Sequence, residues 1–143
     1  MPMIDLTFVR GSLPDEALSR LTDELVTALL RAERAPDTAF MRDNTVVYLH
    51  ALEPAAQLVG GRQPGEPRFR ADLMVFQGAL SKDRKEQLAA DVHAAICAAA
   101  GLDPSGPRAY HVWTLIHEIP EGNWAGAGKV IYYQQVKGLV ADD

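Results

Sequence analysis

The sequence repeats itself after 67 residues, and this repeat restricts the fold more than any other feature of the chain. Each half contains a β-rich segment, a glycine, an amphipathic helical segment and a second β-rich segment. Six pairs of identical or similar residues fall in register at this offset: Gly11 with Gly78, Leu21 with Leu88, Leu25 with Val92, Leu29 with Ile96, His50 with His117, and Gly61 with Gly128. The pattern predicts a duplicated β-α-β unit.

The first unit spans residues 1–59. Apolar and polar residues alternate from Met3 to Arg10, as in a half-buried strand. Helix-start chemistry follows at residues 12–16, where Ser12 is the predicted oxygen-bearing cap. Residues 45–52 are rich in β-branched and aromatic side chains and predict a second strand. An apolar stripe carries the intervening helix to about Ala32: Leu18, Leu21, Leu25 and Leu29.

The second unit, residues 68–143, repeats this order. We predict a strand over 69–76, a helix over 81–100 closed by a glycine, a strand over 110–119, and a C-terminal hairpin or tail.

Residues 60–67 form a Gly/Pro-rich linker that is too short to separate independent domains. The predicted architecture is therefore one α/β domain over 1–143, more closely an α+β two-layer fold. Its four-stranded sheet carries two helices on one face, with parallel strands inside each unit. The other face, with Thr7, Val9, Met74 and Phe76, would be left uncovered, which favours an oligomer.

The composition restricts the classes of partner that the protein is expected to bind. The chain has 143 residues, is 48% hydrophobic and carries a net charge of −5, which disfavours nucleic acid and acidic membranes as partners. Its one cysteine, Cys97, cannot form an internal disulfide. The N-terminus lacks a basic region followed by an apolar run, as in a signal sequence, and no apolar stretch approaches the length of a membrane span. We therefore expect a cytoplasmic protein that binds neither nucleic acid nor membranes.

Two short stretches carry a resemblance to a known family. The chain begins MPMIDLTFVRG, with proline directly behind the initiator methionine, and a Gly-rich turn with an aromatic residue, EGNWAGAG, follows the last predicted strand. In position, order and duplication the chain resembles the tautomerase superfamily, as two fused copies of the short 4-oxalocrotonate-tautomerase-like unit. The first half, with SLPDEALSRLTDEL in its helix, also resembles macrophage migration inhibitory factor. The resemblance implies a homotrimer with pockets across subunit boundaries, no cofactor, and catalysis by an N-terminal proline.

Pro2 suits that role chemically once Met1 is removed. An α-amino group titrates near pH 8 in a free peptide, and burial among apolar groups lowers its pKa. A ring nitrogen with a fixed lone pair can then take a proton next to a carbonyl and return it elsewhere. The alternative is that Pro2 only begins an edge strand, or that Met1 is retained and the nitrogen is not basic.

The resemblance also implies arginines that hold small 2-oxo or 2-hydroxy acids. The family has arginines at positions that hold other residues in this chain. Other side chains must therefore bind the substrate carboxylate here. The positions fall on Ser12, Thr45 and Trp113, and near Phe76 and Ala79. Each candidate also has a structural explanation, such as a solvated strand end, a helix C-terminal cation, or aromatic packing. The substrate-binding candidates are Arg10, Arg34, Arg70, Trp113, His117 and Trp124.

Two histidines at equivalent positions, His50 and His117, are better explained by the duplication than by a metal, because no third ligand has suitable spacing. A proton-handling pair of His117 with Glu118 is a further alternative.

The sequence thus predicts a cofactor-independent tautomerase or isomerase with Pro2 as general base. Its rivals are a hydratase or dehalogenase in which protonated Pro2 acts as an acid on unsaturated acids, and a non-catalytic binding or assembly protein with the same fold.

Overall fold

Both units contribute to one mixed sheet of four strands. A computed structural model describes residues 2–141 and the side chains of residues 2–138, so the expectation that Met1 is removed lies outside the described residues. The strands are β1 (Met3–Val9), β2 (Val46–Leu52), β3 (Phe69–Phe76) and β4 (Val112–Ile119), in the order β2-β1-β3-β4. Pairing is parallel within each unit and antiparallel where β1 meets β3.

Two helices of equal length cover one face of this sheet. They are α1 (Asp15–Glu33) and α3 (Lys82–Ala100), and the offset of 67 residues superimposes their two ranges. They pack on the sheet because their apolar stripes are buried there, which confirms the predicted two-layer fold class. The stripes and their strand partners include Leu21, Leu25, Leu29, Leu88, Val92, Ile96, Ile4, Leu6, Ala71 and Leu73.

Some helix and strand ends differ from those predicted from the sequence. The residue that caps α1 is Pro14, without a side-chain hydrogen bond, whereas the Ser12 hydroxyl donates to the Val9 carbonyl in the preceding turn. In the second unit Ser81 does cap its helix, since its hydroxyl accepts from the backbone N–H of Arg84, and Gly101 closes the helix with a left-handed φ of 67°. Residues 109–111 form a short 3-10 helix, so the last strand of the sheet begins at Val112.

Further elements among residues 2–141 lie outside the sheet and its two long helices. A short helix, α2 (Ala39–Asp43), lies in the segment expected to be a loop. After β4, a two-stranded hairpin of β5 (Ala125–Gly126) and β6 (Lys129–Val130) leads into α4 (Tyr133–Ala141). None of the described helices combines the length and apolar character needed to cross a membrane.

The sheet face away from the helices remains open over most of its area. Leu49 and Trp113 there are 47% and 64% exposed. Phe76 was expected on this open face as well, but only 3% of it is exposed, because the chain's own C-terminal segment covers it.

A pseudo-two-fold relation runs through the middle of the sheet. Asp5 and Asp72, which occupy equivalent positions in the two units, lie directly opposite each other on β1 and β3. Each carboxylate contacts the histidine of its own unit on the open face, Asp5 with His50 and Asp72 with His117 at 2.8 Å. The repeated contacts show that the two units share their side-chain arrangement as well as their fold.

Candidate active site

Pro2 is buried at the end of the sheet where β1 begins. The next residue, Met3, pairs with Val46 at the start of β2 and with Met74 near the end of β3. Because of the strand directions, the starts of β1 and β2 and the ends of β3 and β4 meet here. We call this the Pro2 end of the sheet. The strands have their other ends at the opposite end of the sheet, where β3 begins at Phe69, and we call this the Phe69 end.

Three aromatic rings cluster at the Pro2 end. Phe76, the last residue of β3, is buried beneath Trp124, with ring centroids 4.9 Å apart and an interplanar angle of 30°. Tyr133, the first residue of α4, stacks on the same ring at 5.8 Å. Packed rings of this kind form an apolar surface that suits a planar conjugated substrate.

The hairpin and α4 hold these rings in place. The backbone N–H of Ile131 donates to the Trp124 carbonyl at 2.9 Å, and the backbone N–H of Tyr133 donates to the Glu121 carboxylate at 3.1 Å. Trp124, predicted from EGNWAGAG, therefore lies at the same end of the sheet as Pro2.

A small cavity of about 50 Å³ lies behind this cluster. It has room for very few water molecules, so a substrate needs the C-terminal segment to shift or needs a surface outside this protomer. Its lining residues include Glu33, Ala35, Met41, Phe76, Tyr133 and Val136.

Two charged side chains also line this cavity, the Glu33 carboxylate and the Lys137 ammonium. Burial raises the pKa of the Glu33 carboxyl, and the positive charges of the amino terminus and Arg84 partly oppose the increase. Arg84 is held nearby, because its guanidinium donates to the carbonyl of Ala32 at 2.8 Å.

Sequence reasoning missed Glu33, although a signal was present. It follows Leu21, Leu25 and Leu29 at the same four-residue spacing, so a carboxylate occupies the next position of the buried stripe. A charged residue on such a stripe often marks a functional site. Tyr133 was missed because its helix was expected to be a tail.

Arg34 is the predicted arginine that lies nearest this site. It follows Glu33 directly and closes α1 in the left-handed conformation, with φ at 58°, and its side chain is exposed. Arg34 itself does not line the cavity, although its chain neighbours Glu33 and Ala35 do.

Arg10 lies far from Pro2 within the protomer. It follows the last residue of β1, and eight residues of strand place it roughly 25 Å away. Its guanidinium forms an exposed ion pair with Glu53 at 2.7 Å. In this chain alone, Arg10 and Pro2 do not share a site.

Arg70, Trp113 and His117 are also not gathered around Pro2. Arg70 and His117 both contact Asp72, at 2.7 and 2.8 Å, on the open sheet face. Glu118 pairs with Lys85 at 2.9 Å on the opposite face, so the predicted pair of His117 with Glu118 is wrong. Adjacent strand residues point to opposite faces, which explains the error. Trp113 is at the Phe69 end, where its indole donates to the Tyr110 carbonyl.

Within residues 2–141, the structure contains no group of three His, Cys, Asp or Glu side chains arranged to hold a metal ion.

The comparisons with known proteins match the second unit by sequence and nearly the whole chain by structure. Residues 72–133 match the Tautomerase family, described as tautomerase enzyme, so the matched segment lies in the second unit and excludes Pro2. No curated protein sequence matches the chain.

Solved structures match over nearly the whole length. A fused 4-OT, solved as a wild-type symmetric trimer, has a TM-score of 0.72 and 17% identity and covers 99% of both chains. A member of the cis-3-chloroacrylic acid dehalogenase family has a TM-score of 0.71 and 19% identity, again over 99% of both chains. Macrophage migration inhibitory factor of Toxoplasma gondii has a TM-score of 0.67 and 13% identity, over 90% of this chain and 99% of that chain. By these comparisons the second unit resembles the Tautomerase family in sequence, and the whole chain has the fold of a fused 4-OT.

Proposed function

We propose that the protein is a cofactor-independent tautomerase or isomerase in which Pro2, as the first residue of the mature chain, carries a proton between two atoms of a small carboxylated carbonyl compound. The observation that carries this proposal is the burial of Pro2 at the sheet end that also holds the Phe76, Trp124 and Tyr133 rings. Tautomerase family members are typically isomerases or related enzymes.

Pro2 can act as a base when its nitrogen is a neutral secondary amine. Burial disfavours the charged amine and lowers its pKa, whereas an ionised Glu33 favours the charged amine and raises it. Because burial also raises the pKa of Glu33, this carboxyl carries less negative charge near neutral pH than an exposed one would. Both effects of burial favour a neutral amine that can take a proton.

The substrate class follows from the surrounding side chains. A planar 2-oxo or 2-hydroxy acid would stack against Trp124, and its carboxylate would meet the exposed guanidinium of Arg34. The enolate that forms when a proton leaves is also an anion, so the same guanidinium would stabilise it. We place Arg10, Arg70, Trp113 and His117 second in this role, since only a neighbouring subunit could bring them to Pro2.

A homotrimer is part of the proposal. A fused 4-OT with the same fold is a symmetric trimer, and the open sheet face here leaves Leu49, Trp113 and Leu115 partly exposed. Assembly over this face would bury these side chains and would supply walls that the small cavity lacks. We also expect a cytoplasmic location.

Substitution of the proline tests the mechanism. Pro2→Ala should reduce ketonisation of phenylpyruvate or 2-hydroxymuconate at least about a hundredfold, the usual contribution of a positioned base. Intact mass must first establish that Met1 is absent in both preparations. Pro67→Ala is a matched control, because this proline lies in the linker near the start of the second unit and has no free amine. Equal activity of Pro2→Ala and wild type would refute the role of Pro2.

Blocking the amine gives an independent test. A variant with two extra residues retained before Pro2 keeps the proline ring but converts its nitrogen to an amide, so it should be as inactive as Pro2→Ala.

Glu33 gives specific support to a second candidate, hydration or dehalogenation of an unsaturated acid. If its carboxylate is ionised, the neighbouring amine stays protonated and Pro2 can act as an acid. One structure with the same fold belongs to the cis-3-chloroacrylic acid dehalogenase family. Turnover of 3-haloacrylates or acetylenic acids, lost in Pro2→Ala and in Glu33→Gln, would favour this reaction over tautomerisation. A non-catalytic binding or assembly role would follow if every substrate in both panels failed with the mass-checked mature chain.

A further inference from the structure

Lys137 of α4 brings a positive charge to the cavity at the Pro2 end. Among the side chains that the structure describes, it is the one cation in the lining of this cavity, since Arg34 lies outside the lining. Lys137 is exposed as a whole residue and still contributes to the wall, so its side chain lies at the boundary between the cavity and solvent. An anionic group that enters from solvent would meet this ammonium first.

The ammonium of Lys137 is available to a ligand. It forms no ion pair and no hydrogen bond with any side chain described in residues 2–138, whereas two other cations near this end have partners. Arg84 donates to the Ala32 carbonyl at 2.8 Å, and Lys85 pairs with Glu118 at 2.9 Å. A ligand carboxylate can therefore pair with Lys137 without breaking a salt bridge between described residues.

A carboxylate ligand needs a cation here because the lining also contains Glu33. Burial raises the pKa of the Glu33 carboxyl, but the charge that it retains near neutral pH repels a second carboxylate in the same small space. The Lys137 ammonium offsets this repulsion. Loss of Lys137 should therefore weaken the binding of anions much more than the binding of neutral molecules of the same shape.

The helix that carries Lys137 is attached to the rest of the protein mainly at its first residue. The Tyr133 ring stacks on Phe76 at 5.8 Å, and the Tyr133 N–H donates to the Glu121 carboxylate at 3.1 Å. Among the described residues, those from 134 onward form no hydrogen bond outside the segment 132–141, and no side chain in 133–138 is buried. A segment with so few buried contacts opens at a low cost in free energy.

We propose that Lys137 selects carboxylated substrates at the Pro2 site, and that α4 is a lid that brings its ammonium onto the substrate carboxylate. An outward movement of α4 about Tyr133 would enlarge the cavity of about 50 Å³, and closure over the ligand would exclude water from the site. The ligand class is a small acid whose planar body packs against the Trp124 ring. The inference deepens the proposed function and rests on it, because it concerns the same site.

Phenylacetate separates binding from catalysis, since it has no keto group to tautomerise, and 2-phenylethanol is a neutral control of similar shape. The indole N–H resonance of Trp124 reports binding at this site, because the Trp124 and Phe76 ring centroids are 4.9 Å apart. Lys137→Met should weaken phenylacetate binding at least about tenfold and 2-phenylethanol binding less than about twofold, since the ion pair is lost and the apolar contacts are kept.

Two variants control for effects on the fold. Lys137→Arg keeps the charge and should bind phenylacetate within about threefold of wild type. Lys129→Met is the matched control, because Lys129 is exposed in β6 of the same C-terminal segment and does not line the cavity. Its affinity for phenylacetate should equal that of wild type, and thermal unfolding checks that all variants fold.

The kinetics of phenylpyruvate ketonisation give a second readout. The substrate carboxylate keeps its charge in the ground state and in the transition state, so Lys137 should stabilise both equally. Lys137→Met should therefore raise KM at least about tenfold and lower kcat less than about threefold.

Three results would overturn the proposal. The first is equal phenylacetate affinity in Lys137→Met and wild type, and the second is an equal loss for phenylacetate and 2-phenylethanol, as expected if Lys137 only stabilises α4. The third is a loss in Arg34→Met without a loss in Lys137→Met, which would assign the carboxylate to Arg34. Phenylacetate binding requires no proton transfer, so these results are distinguishable from failure of the Pro2→Ala test.

Discussion

The contact between the Phe76 and Trp124 rings predicts a measurable coupling between the sheet and the C-terminal segment. Phe76 is 3% exposed, so Phe76→Leu loses part of a fully buried ring and should reduce the free energy of unfolding by about 1 to 2 kcal/mol. The ring centroids are 4.9 Å apart, a geometry for which aromatic pairs contribute about 0.5 to 1.5 kcal/mol beyond area burial. The double variant with Trp124→Leu should therefore lose less stability than the sum of the single variants, by about 1 kcal/mol.

Urea unfolding followed by circular dichroism gives the four free energies of this cycle. The protein concentration must be the same in every experiment, because assembly adds to apparent stability. Trp113→Leu with Phe76→Leu is the control cycle, since Trp113 lies at the other end of the sheet and should couple by less than about 0.5 kcal/mol. If the Phe76 and Trp124 cycle also gives less than this value, the ring contact does not hold the C-terminal segment on the sheet.

Two further predictions concern the helices. Because the pKa of Glu33 is raised in the folded state, folding binds a proton at this site, and stability falls as pH rises above the ordinary carboxyl pKa. Glu33→Gln should therefore be more stable than wild type in thermal melts at pH 7, and the difference should shrink towards pH 4; a gap that grows on acidification would contradict the burial of this carboxyl. Ser81→Ala should reduce the free energy of unfolding by about 1 kcal/mol, because α3 loses its N-terminal cap. Ser81→Asp should keep most of the wild-type stability, since a carboxylate can also accept the capping hydrogen bond. Equal stability of the two variants would argue against the cap.

The duplication accounts for the success of sequence reasoning with the main fold. Residues that recur after 67 positions, such as Leu25 and Val92, occupy equivalent places in two helices of equal length. Once two β-α-β units are recognised, strand direction within each unit and the helix-covered face follow from general rules. The short helix α2 was missed because five residues are too few to show a helical period.

The candidate site was harder to predict than the fold. Pro2 was found because of its position in the chain, and Trp124 because of the Gly-rich turn around it. Glu33 was overlooked because an acidic residue at a helix end is usually solvated, whereas here it lines a cavity together with Phe76 and Tyr133. Arg70 and His117 were read as single strand residues, but their shared contact with Asp72 depends on the pairing of strands distant in sequence.

The facing aspartates Asp5 and Asp72 mark where two formerly equal halves meet. If identical subunits once paired across this line, every substitution would have changed both ends of the sheet at once. Joining the halves in one chain removed that restriction. One end could keep proline near the chain terminus while the other acquired Phe69, so that the two ends of the sheet could diverge independently.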